Sequence, residues 1–596
     1  MKAVLRTACA LLALAIIGCA SQSAVTDPSA PPPPAAADEA VVVTGTRTVR
    51  QDFEAVSPTT TVGAEQRVPS PDLSAPPTPA PMVAPADGRA RAAVGGVTGT
   101  PYAQAAPQPM PGTIDRDRYE DVAPNPIHIA ADEPVSTFSI DVDTAAYANV
   151  RRLLNQGRLP PRDAVRVEEL INHFRYDYAP PRTRTEPFST SVTVAPSPWA
   201  EGRQLVHIGL QGYRLVPRER PPLNLTLLID VSGSMAPENR LPLALASFRM
   251  LVEQLNARDS VSIAVYAGAA GAVLEPTPGN DRARILAALD NLRAGGSTAG
   301  GEGLRLAYAL AERNYNRNAV NRVIIATDGD FNVGISNPQE LQDFVSRKRE
   351  TGVYLSVLGF GGGNYNDLLM QRLAQNGNGV AAYIDTVNEA RRVLHDEMAA
   401  NMFSIANDVK IQVEFNPARV AEYRLIGYET RMLRREDFNN DQVDAGEIGA
   451  GHAVTAIYEI TPVGGPRFTE PLRYQGSMTA PPSIASEYAF LRIRYKLPGQ
   501  DASRLIERPI TNADFVSDIA RAGESTRWAA AVAGYGQLLR GDPYLARGYG
   551  WDDVIRLAQS ARGRDEFGWR AEFIQLARTA QTASALPTAQ NAPVGS

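Results

Sequence analysis

The chain has 596 residues, 44% of them hydrophobic and 7% aromatic; these are ordinary globular values that exclude wholesale disorder, and at about 100–200 residues per domain the length points to three or four domains. Lys and Arg total 59 against 65 Asp and Glu, a net charge of −6, so there is no basic excess of the kind that marks a nucleic-acid binder. The two cysteines, Cys9 and Cys19, both precede Ala20, which excludes a disulfide framework or thiolate-held metal in the body of the chain and leaves oxygen and nitrogen as the available ligands.

At the N-terminus, Lys2 and Arg6 precede an apolar run from Ala8 to Ile17. The run is too short to span a bilayer as a mature helix but suits the hydrophobic part of a secretory signal, here residues 1–18. It ends in Ile16-Ile17-Gly18-Cys19, which resembles a bacterial lipobox with Ile in place of the commoner Leu. The resemblance implies lipidation of Cys19 and a cell-envelope lipoprotein. Because Ala20 rather than Asp follows, it also implies an outer-membrane anchor facing the periplasm or the cell surface. Residues 19–125 are rich in Ala, Pro, Thr and Ser, with the runs Pro31–Pro34 and Pro76-Pro77-Thr78-Pro79. Proline fixes φ and removes donors, so this stretch reads as a disordered tether. Within it, Val41 to Arg47 resembles the energy-coupling segment of TonB-dependent receptors and is read as a β-prone patch in a linker.

Folded signals follow. Residues 126–218 form an N-terminal accessory segment, with a helix from Ala145 to Leu154, a second carrying Val167, Leu170, Ile171 and Phe174, and strands near Phe188–Val194 and Gln204–Leu210. Residues 219–403 alternate apolar strands (Leu223–Ile229, Ser260–Tyr266, Val323–Ala326, Tyr354–Gly359, Val380–Ile384) with amphipathic helices, ending in one helix from Val387 to about Phe403. Such βαβ alternation predicts an α/β fold, a doubly wound, mostly parallel sheet covered on both faces. Residues 404–582 read as a C-terminal α+β domain, with strands such as Val409–Phe415, Ala453–Ile460 and Tyr488–Tyr495 before helices around Trp528, Trp551 and Trp569. Residues 583–596 are a polar tail.

Ligands of open α/β sheets sit at the carboxyl ends of the strands. Three pieces of sequence converge there: Asp230-Val231-Ser232-Gly233-Ser234 after the strand NLTLLI, Gly295-Gly296-Ser297-Thr298 before a helix, and Thr327-Asp328-Gly329 after the strand RVIIA. Together they resemble the metal-ion-dependent adhesion site (MIDAS) of von Willebrand factor type A (VWA) domains. The resemblance implies that Asp230, Ser232, Ser234, Thr298 and Asp328 surround one cation. Three hydroxyls and two carboxylates make an all-oxygen set suited to Mg²⁺, with Mn²⁺ and Ca²⁺ as alternatives. In the family one coordination position stays open for an Asp or Glu of a protein partner. The blocks Thr137–Phe174, Thr327–Gly334 and Asp437–Ile460 are similar to a bacterial exported subfamily with an accessory segment before the A domain and a domain of unknown function after it.

Other features have plainer readings. The acidic loop Asp437, Asn439, Asp441, Asp444 and Glu447 lacks EF-hand spacing, because Gln442 stands where Gly is needed and Ile448 where Glu is needed, and reads as a solvated turn. Asp141-Val142-Asp143-Thr144 reads as a helix cap. The five histidines, His128, His173, His207, His395 and His452, have no metal-ligand spacing. No phosphate loop or nucleophile elbow is present, so the expectation is a non-enzymatic binding protein without nucleic-acid partners. The alternative is an envelope scaffold whose ion site is occupied or regulated internally by the flanking domains. A hydrolase role for the last domain would need convergent carboxylates in residues 404–580.

Overall fold

Following the chain, two short strands, β1 (His128–Ile129) and β2 (Val135–Ser139), lead to helices α1 (Ala145–Asn155) and α2 (Val167–Asn172) and strands β3 (Phe188–Pro196) and β4 (Gln204–Gly212). An α/β run comes next: β5 (Leu223–Asp230), α3 (Leu241–Glu253), β6 (Ser260–Tyr266), β7 (Ala270–Pro278), α4 (Arg282–Asp290), α5 (Gly303–Arg313), β8 (Val320–Thr327), α6 (Pro338–Glu350), β9 (Val353–Phe360), α7 (Asp367–Asn376), β10 (Ala381–Ile384), α8 (Val387–Arg391) and α9 (Met398–Met402). Strands β11 (Ser404–Phe415), β12 (Val420–Ile426), β13 (Gly446–Gly449), β14 (Ala453–Pro462), β15 (Glu487–Lys496) and β16 (Ser503–Thr511) precede helices α10 (Glu524–Arg540), α11 (Trp551–Ser560) and α12 (Trp569–Ala585). This computed structural model describes residues 117, 119–140, 143–183, 185–216, 218–267, 269–296, 303–329, 337–362, 366–470 and 485–586. The signal, Cys19, nearly all of the tether and most of the polar tail lie outside the described residues.

The α/β run forms a six-stranded sheet in the order β10-β9-β8-β5-β6-β7, parallel throughout except for β7 at the edge. Every residue of β5 is buried, as expected of a parallel strand covered on both sides. One face meets α3 and α4 through Leu241, Ala244, Phe248, Ile285 and Leu289. The other meets α5, α6 and α7 through Leu304, Tyr308, Leu341, Val345, Met370 and Leu373, together with Ala145 and Ala148 of α1. Helix α1 therefore contributes to the α/β layer from outside the run. Strand β7, absent from the strands read in the sequence, carries Pro276 and Pro278, and at a sheet edge the missing donors cost little.

The segments on either side of this run share two further sheets. One has the order β1-β12-β14-β4-β3, the other β13-β11-β15-β16 with β2 paired to β11. Strand β4 pairs with β14 from Gln204↔Ile460 to Gln211↔Ala453. Phe138, Val192, Val206, Ile208, Ile411, Val413, Tyr458, Leu491 and Ile493 belong to the core these sheets share. Residues 126–218 and 404–582 thus do not fold as successive domains, and the α/β domain is inserted between the strands of one common structure. On the outer side, α1, α2, α10, α11 and α12 gather around Phe174, Trp528, Tyr535 and Phe573. Trp528 is fully buried, and burial of an aromatic of this size contributes roughly 2–3 kcal/mol.

Three local expectations are corrected. The helix predicted from Val387 to Phe403 is broken by a π-helical turn, Arg392–Asp396, between α8 and α9. Arg392 is buried there and holds Glu389, Glu397 and the Thr144 hydroxyl. Thr144 does not cap α1 with its side chain; instead Glu169 accepts from the Ala146 N–H at 2.8 Å. Of the neighbouring aspartates, Asp143 accepts from the Ala381 N–H at 3.1 Å, whereas Asp141 lies outside the described residues. The acidic loop is not wholly solvated as read: Asp437 is buried and accepts from the Arg434 N–H, Asp441 accepts from the Ser503 hydroxyl, and Asp444 pairs with Arg349.

Arg151, only 2% exposed, bridges Asp385 at the end of β10, Glu389 of α8 at 2.9 Å and Glu572 of α12 at 3.0 Å. Burial pushes the Glu389 carboxyl up, but Arg392, His173 and Arg151 outweigh it and hold the group well below its ordinary value. Arg151→Met, which strands these carboxylates, is expected to lower stability by about 3–5 kcal/mol in urea unfolding. His207 on β4 lies 2.9 Å from the Tyr178 hydroxyl and 3.2 Å from that of Thr526 on α10, and burial lowers it to about 4. A folded pKa below the unfolded value of 6.5 favours the neutral ring, so its contribution is complete above pH 6.5 and is lost as pH falls toward 4. Equilibrium unfolding should show about 2 kcal/mol less dependence on pH between 7 and 4.5 in His207→Gln than in the native chain.

Candidate metal centre

Strands β5 and β8 are parallel neighbours in register from Leu223↔Val320 to Ile229↔Ala326. Asp230 and the Thr327-Asp328 pair consequently leave the sheet side by side at its carboxyl end, the position where a doubly wound sheet exposes its strand-end loops. Both aspartates are fully buried and Ser232 nearly so, whereas Ser234 is half-buried. Asp230 Oδ1 accepts from the Ser232 N–H at 2.8 Å, and the Ser232 and Ser234 hydroxyls lie 3.0 Å apart.

The glycine-rich loop comes to the same place. The Gly295 N–H donates to the Val231 carbonyl at 2.8 Å, and the Gly233 N–H donates to the Gly296 carbonyl at 3.1 Å. Gly296 has φ +88°, a left-handed conformation that a side chain would strain. Thr298 and Ser297 lie outside the described residues. The structure therefore brings together Asp230, Ser232, Ser234 and Asp328 and sets the start of the loop carrying Thr298 against them.

Electrostatically the centre holds more negative charge than its hydrogen bonds satisfy. Burial pushes the Asp230 carboxyl up to about 6. Ser232 opposes the rise with its N–H, and the charge of Asp328 adds to it. Oδ2 of Asp230 is buried and makes no well-formed hydrogen bond among the described residues, although the Tyr266 hydroxyl beside the carboxyl also opposes the rise. An orphaned carboxylate oxygen in a dry site is costly, and hydroxyl and carboxylate oxygens around it are hard donors. The residues fit a hard divalent cation.

One neighbour was not anticipated from sequence. Arg240, just before α3, donates from Nη1 to the Ser234 carbonyl at 2.7 Å and to Asp328 Oδ2, and from Nη2 to the Gly362 carbonyl at 3.0 Å. It ties together the loops after β5, β8 and β9. Gly361 makes room for it: a Cβ there would lie 2.4 Å from Arg240 Nε, and φ is +74°. The available signal was a lone Arg before a helix, which ordinarily reads as a solvated residue.

Family models match three stretches of the chain: von Willebrand factor at 113–207, the von Willebrand factor type A domain at 225–330, and the C-terminal part of the uncharacterized protein YfbK at 400–583. YfbK of Escherichia coli K12 is 46% identical over 473 residues, which cover 78% of this chain and 81% of that protein. The chain belongs to the YfbK family of VWA-domain proteins. Inter-alpha-trypsin inhibitor heavy chain H3 of Homo sapiens is 30% identical over 187 residues, covering 30% of this chain and 20% of that one. Among solved structures, a von Willebrand factor type A protein from Catenulispora acidiphila is 15% identical with a TM-score of 0.36, covering 68% of this chain and 91% of its own. Proximal thread matrix protein 1 of the mussel byssus, with a zinc-occupied MIDAS motif, is 20% identical with a TM-score of 0.25, covering 30% of this chain and 44% of its own. VWA domains generally mediate protein–protein interaction and often carry a metal at the MIDAS, and the strand order here is that of a VWA, Rossmann-like sheet.

Gly361→Ala should displace Arg240 from this junction and strain the backbone, lowering stability by about 1–3 kcal/mol by thermal or urea unfolding.

Proposed function

We propose that this protein is a non-enzymatic cell-envelope lipoprotein whose A domain captures a protein partner through a divalent cation, Mg²⁺ in the first instance. Asp230, Ser232, Ser234, Thr298 and Asp328 would hold the ion, and Cys19 would hold the protein to the outer membrane through its lipid. When bound, the ion supplies a Lewis-acidic position that an Asp or Glu of the partner completes. The observation that carries the reading is the buried Oδ2 of Asp230, which makes no well-formed hydrogen bond among the described residues, next to two serine hydroxyls 3.0 Å apart. Around that position the chain's own residues do defined work. The Ser232 N–H fixes Asp230 through Oδ1, the backbone bonds from Gly295 and to Gly296 fix the adjoining loop, and the buried strand ends exclude water.

A second reading keeps the same ion site but makes it answer to the flanking segments. Arg151 of α1, itself paired with Glu572 of α12, holds Glu389 of the final helical segment of the A domain, and Arg392 of the π-helical turn ties that segment to the Thr144 hydroxyl before α1. If ion binding and that segment are coupled, the coupling is reciprocal. Carboxylates of the last segment fit this structural part better than hydrolysis: Glu459 and Asp542 pair with Arg424, and Glu429 with Arg540.

The test has two arms. Calorimetric titration of the purified protein with Mg²⁺ or Mn²⁺ should show one site that is lost in Asp230→Ala and Asp328→Ala while the fold persists by circular dichroism. Crosslinking from envelope membranes should then yield a partner only with Mg²⁺, and no longer after chelation or in either variant. Retention unaffected by chelation and by both substitutions would overturn the adhesion reading.

A further inference from the structure

We propose that Arg240 is a built-in counter-cation that competes with the divalent ion for Asp328 and so sets the metal affinity of the site below what its oxygen ligands alone would give. The inference rests on the metal-binding reading above and adds to it a residue outside the five MIDAS positions.

The geometry is specific. Arg240 is 14% exposed by its side chain, and its partner Asp328 is fully buried. The guanidinium makes three directed contacts, to the Asp328 carboxylate, the Ser234 carbonyl and the Gly362 carbonyl. A planar, permanently charged fork is suited to such a junction in a way a lysine ammonium is not. The protein also spends conformational freedom on it. Gly361 is left-handed and without a Cβ where Arg240 passes, and the Gly361 carbonyl is itself held by the Tyr383 hydroxyl. Gly362 is hemmed in from the other side by Arg152 of α1, so the three loops and the arginine form a braced unit.

The charges decide the direction of the effect. Among the described residues two buried carboxylates face one guanidinium, a count of −1 that a divalent ion would turn to +1, because Arg240 stays beside the carboxylate the ion must share. Like charges close together in a poorly solvated site repel strongly, so Arg240 weakens cation binding while keeping the empty site assembled. The same residual positive charge favours an anionic side chain as the completing ligand, which links Arg240 to the preference for an acidic partner.

Arg240→Gln removes the charge but retains an amide donor for the Ser234 or Gly362 carbonyl, and Arg240→Lys retains the charge but not the fork. Mn²⁺ titration of the full chain, followed by electron paramagnetic resonance and calorimetry, should show Arg240→Gln binding roughly ten-fold tighter than the native chain. Arg240→Lys, which keeps the positive charge although it loses the fork, should stay closer to native than Arg240→Gln does. Thermal unfolding in chelator should place Arg240→Gln below native, with a larger upward shift on adding Mn²⁺. Equal or weaker Mn²⁺ affinity in a folded Arg240→Gln overturns the proposal. Should Arg240→Gln fail to fold, Gly361→Ala, which pushes the same side chain off Asp328, must give the tighter binding, and unchanged or weaker binding there overturns it too. No Mn²⁺ uptake by the native chain and every variant would instead remove the metal-binding reading on which it rests.

Discussion

The antiparallel pairing of β4 with β14 is the constraint on which the rest of the structure depends. It joins residues 204–211 to residues 453–460, so the ends of everything between them are brought back to one sheet. The A domain is accordingly held at both of its termini by strands of a single layered structure. Its sheet gains α1 as a covering helix, and its final helical segment is held through Glu389 by Arg151 from one side of the insertion, which Glu572 from the other side pairs in turn. A domain tethered at one end would have neither restraint.

Within that frame the centre at the strand ends is a problem of buried charge. Parallel pairing of β5 and β8 places two carboxylates together with little water. The Ser232 N–H and the Arg240 guanidinium answer part of the demand, and one oxygen of Asp230 makes no well-formed hydrogen bond among the described residues. A site of this composition fits a hard cation. The buried ion network around Arg151 and Arg392 is a different use of the same chemistry: there every carboxylate meets a guanidinium, and the result is mechanical attachment.

The parts of the fold that could be read early were those in which local periodicity reflects burial. Strands Leu223–Asp230 and Ser260–Tyr266 and helix Leu241–Glu253 are recognisable because apolar residues recur at the spacing each element needs. Strand β12 was harder to see, since Glu422 and Arg424 interrupt its apolar run and are buried only because Phe468, Thr469, Glu459 and Asp542 meet them. The break at Arg392 was hidden for the same reason. A buried arginine looks like a surface residue until its partners, Glu389, Glu397 and Thr144, are in place.

Order and spacing along the chain were thus enough for the α/β class of residues 219–403, because local periodicity follows burial, whereas Asp230, Ser232, Ser234, Thr298 and Asp328 were named from the resemblance to the VWA metal site, and all but Thr298 lie among the described residues. Folding in three dimensions decided that the flanking segments share their sheets, that the last helix of the A domain is broken, and that Arg240 stands beside Asp328. Those outcomes come from strand register and charge pairing between residues far apart in the chain, and such pairings leave no periodic trace in the segments that make them.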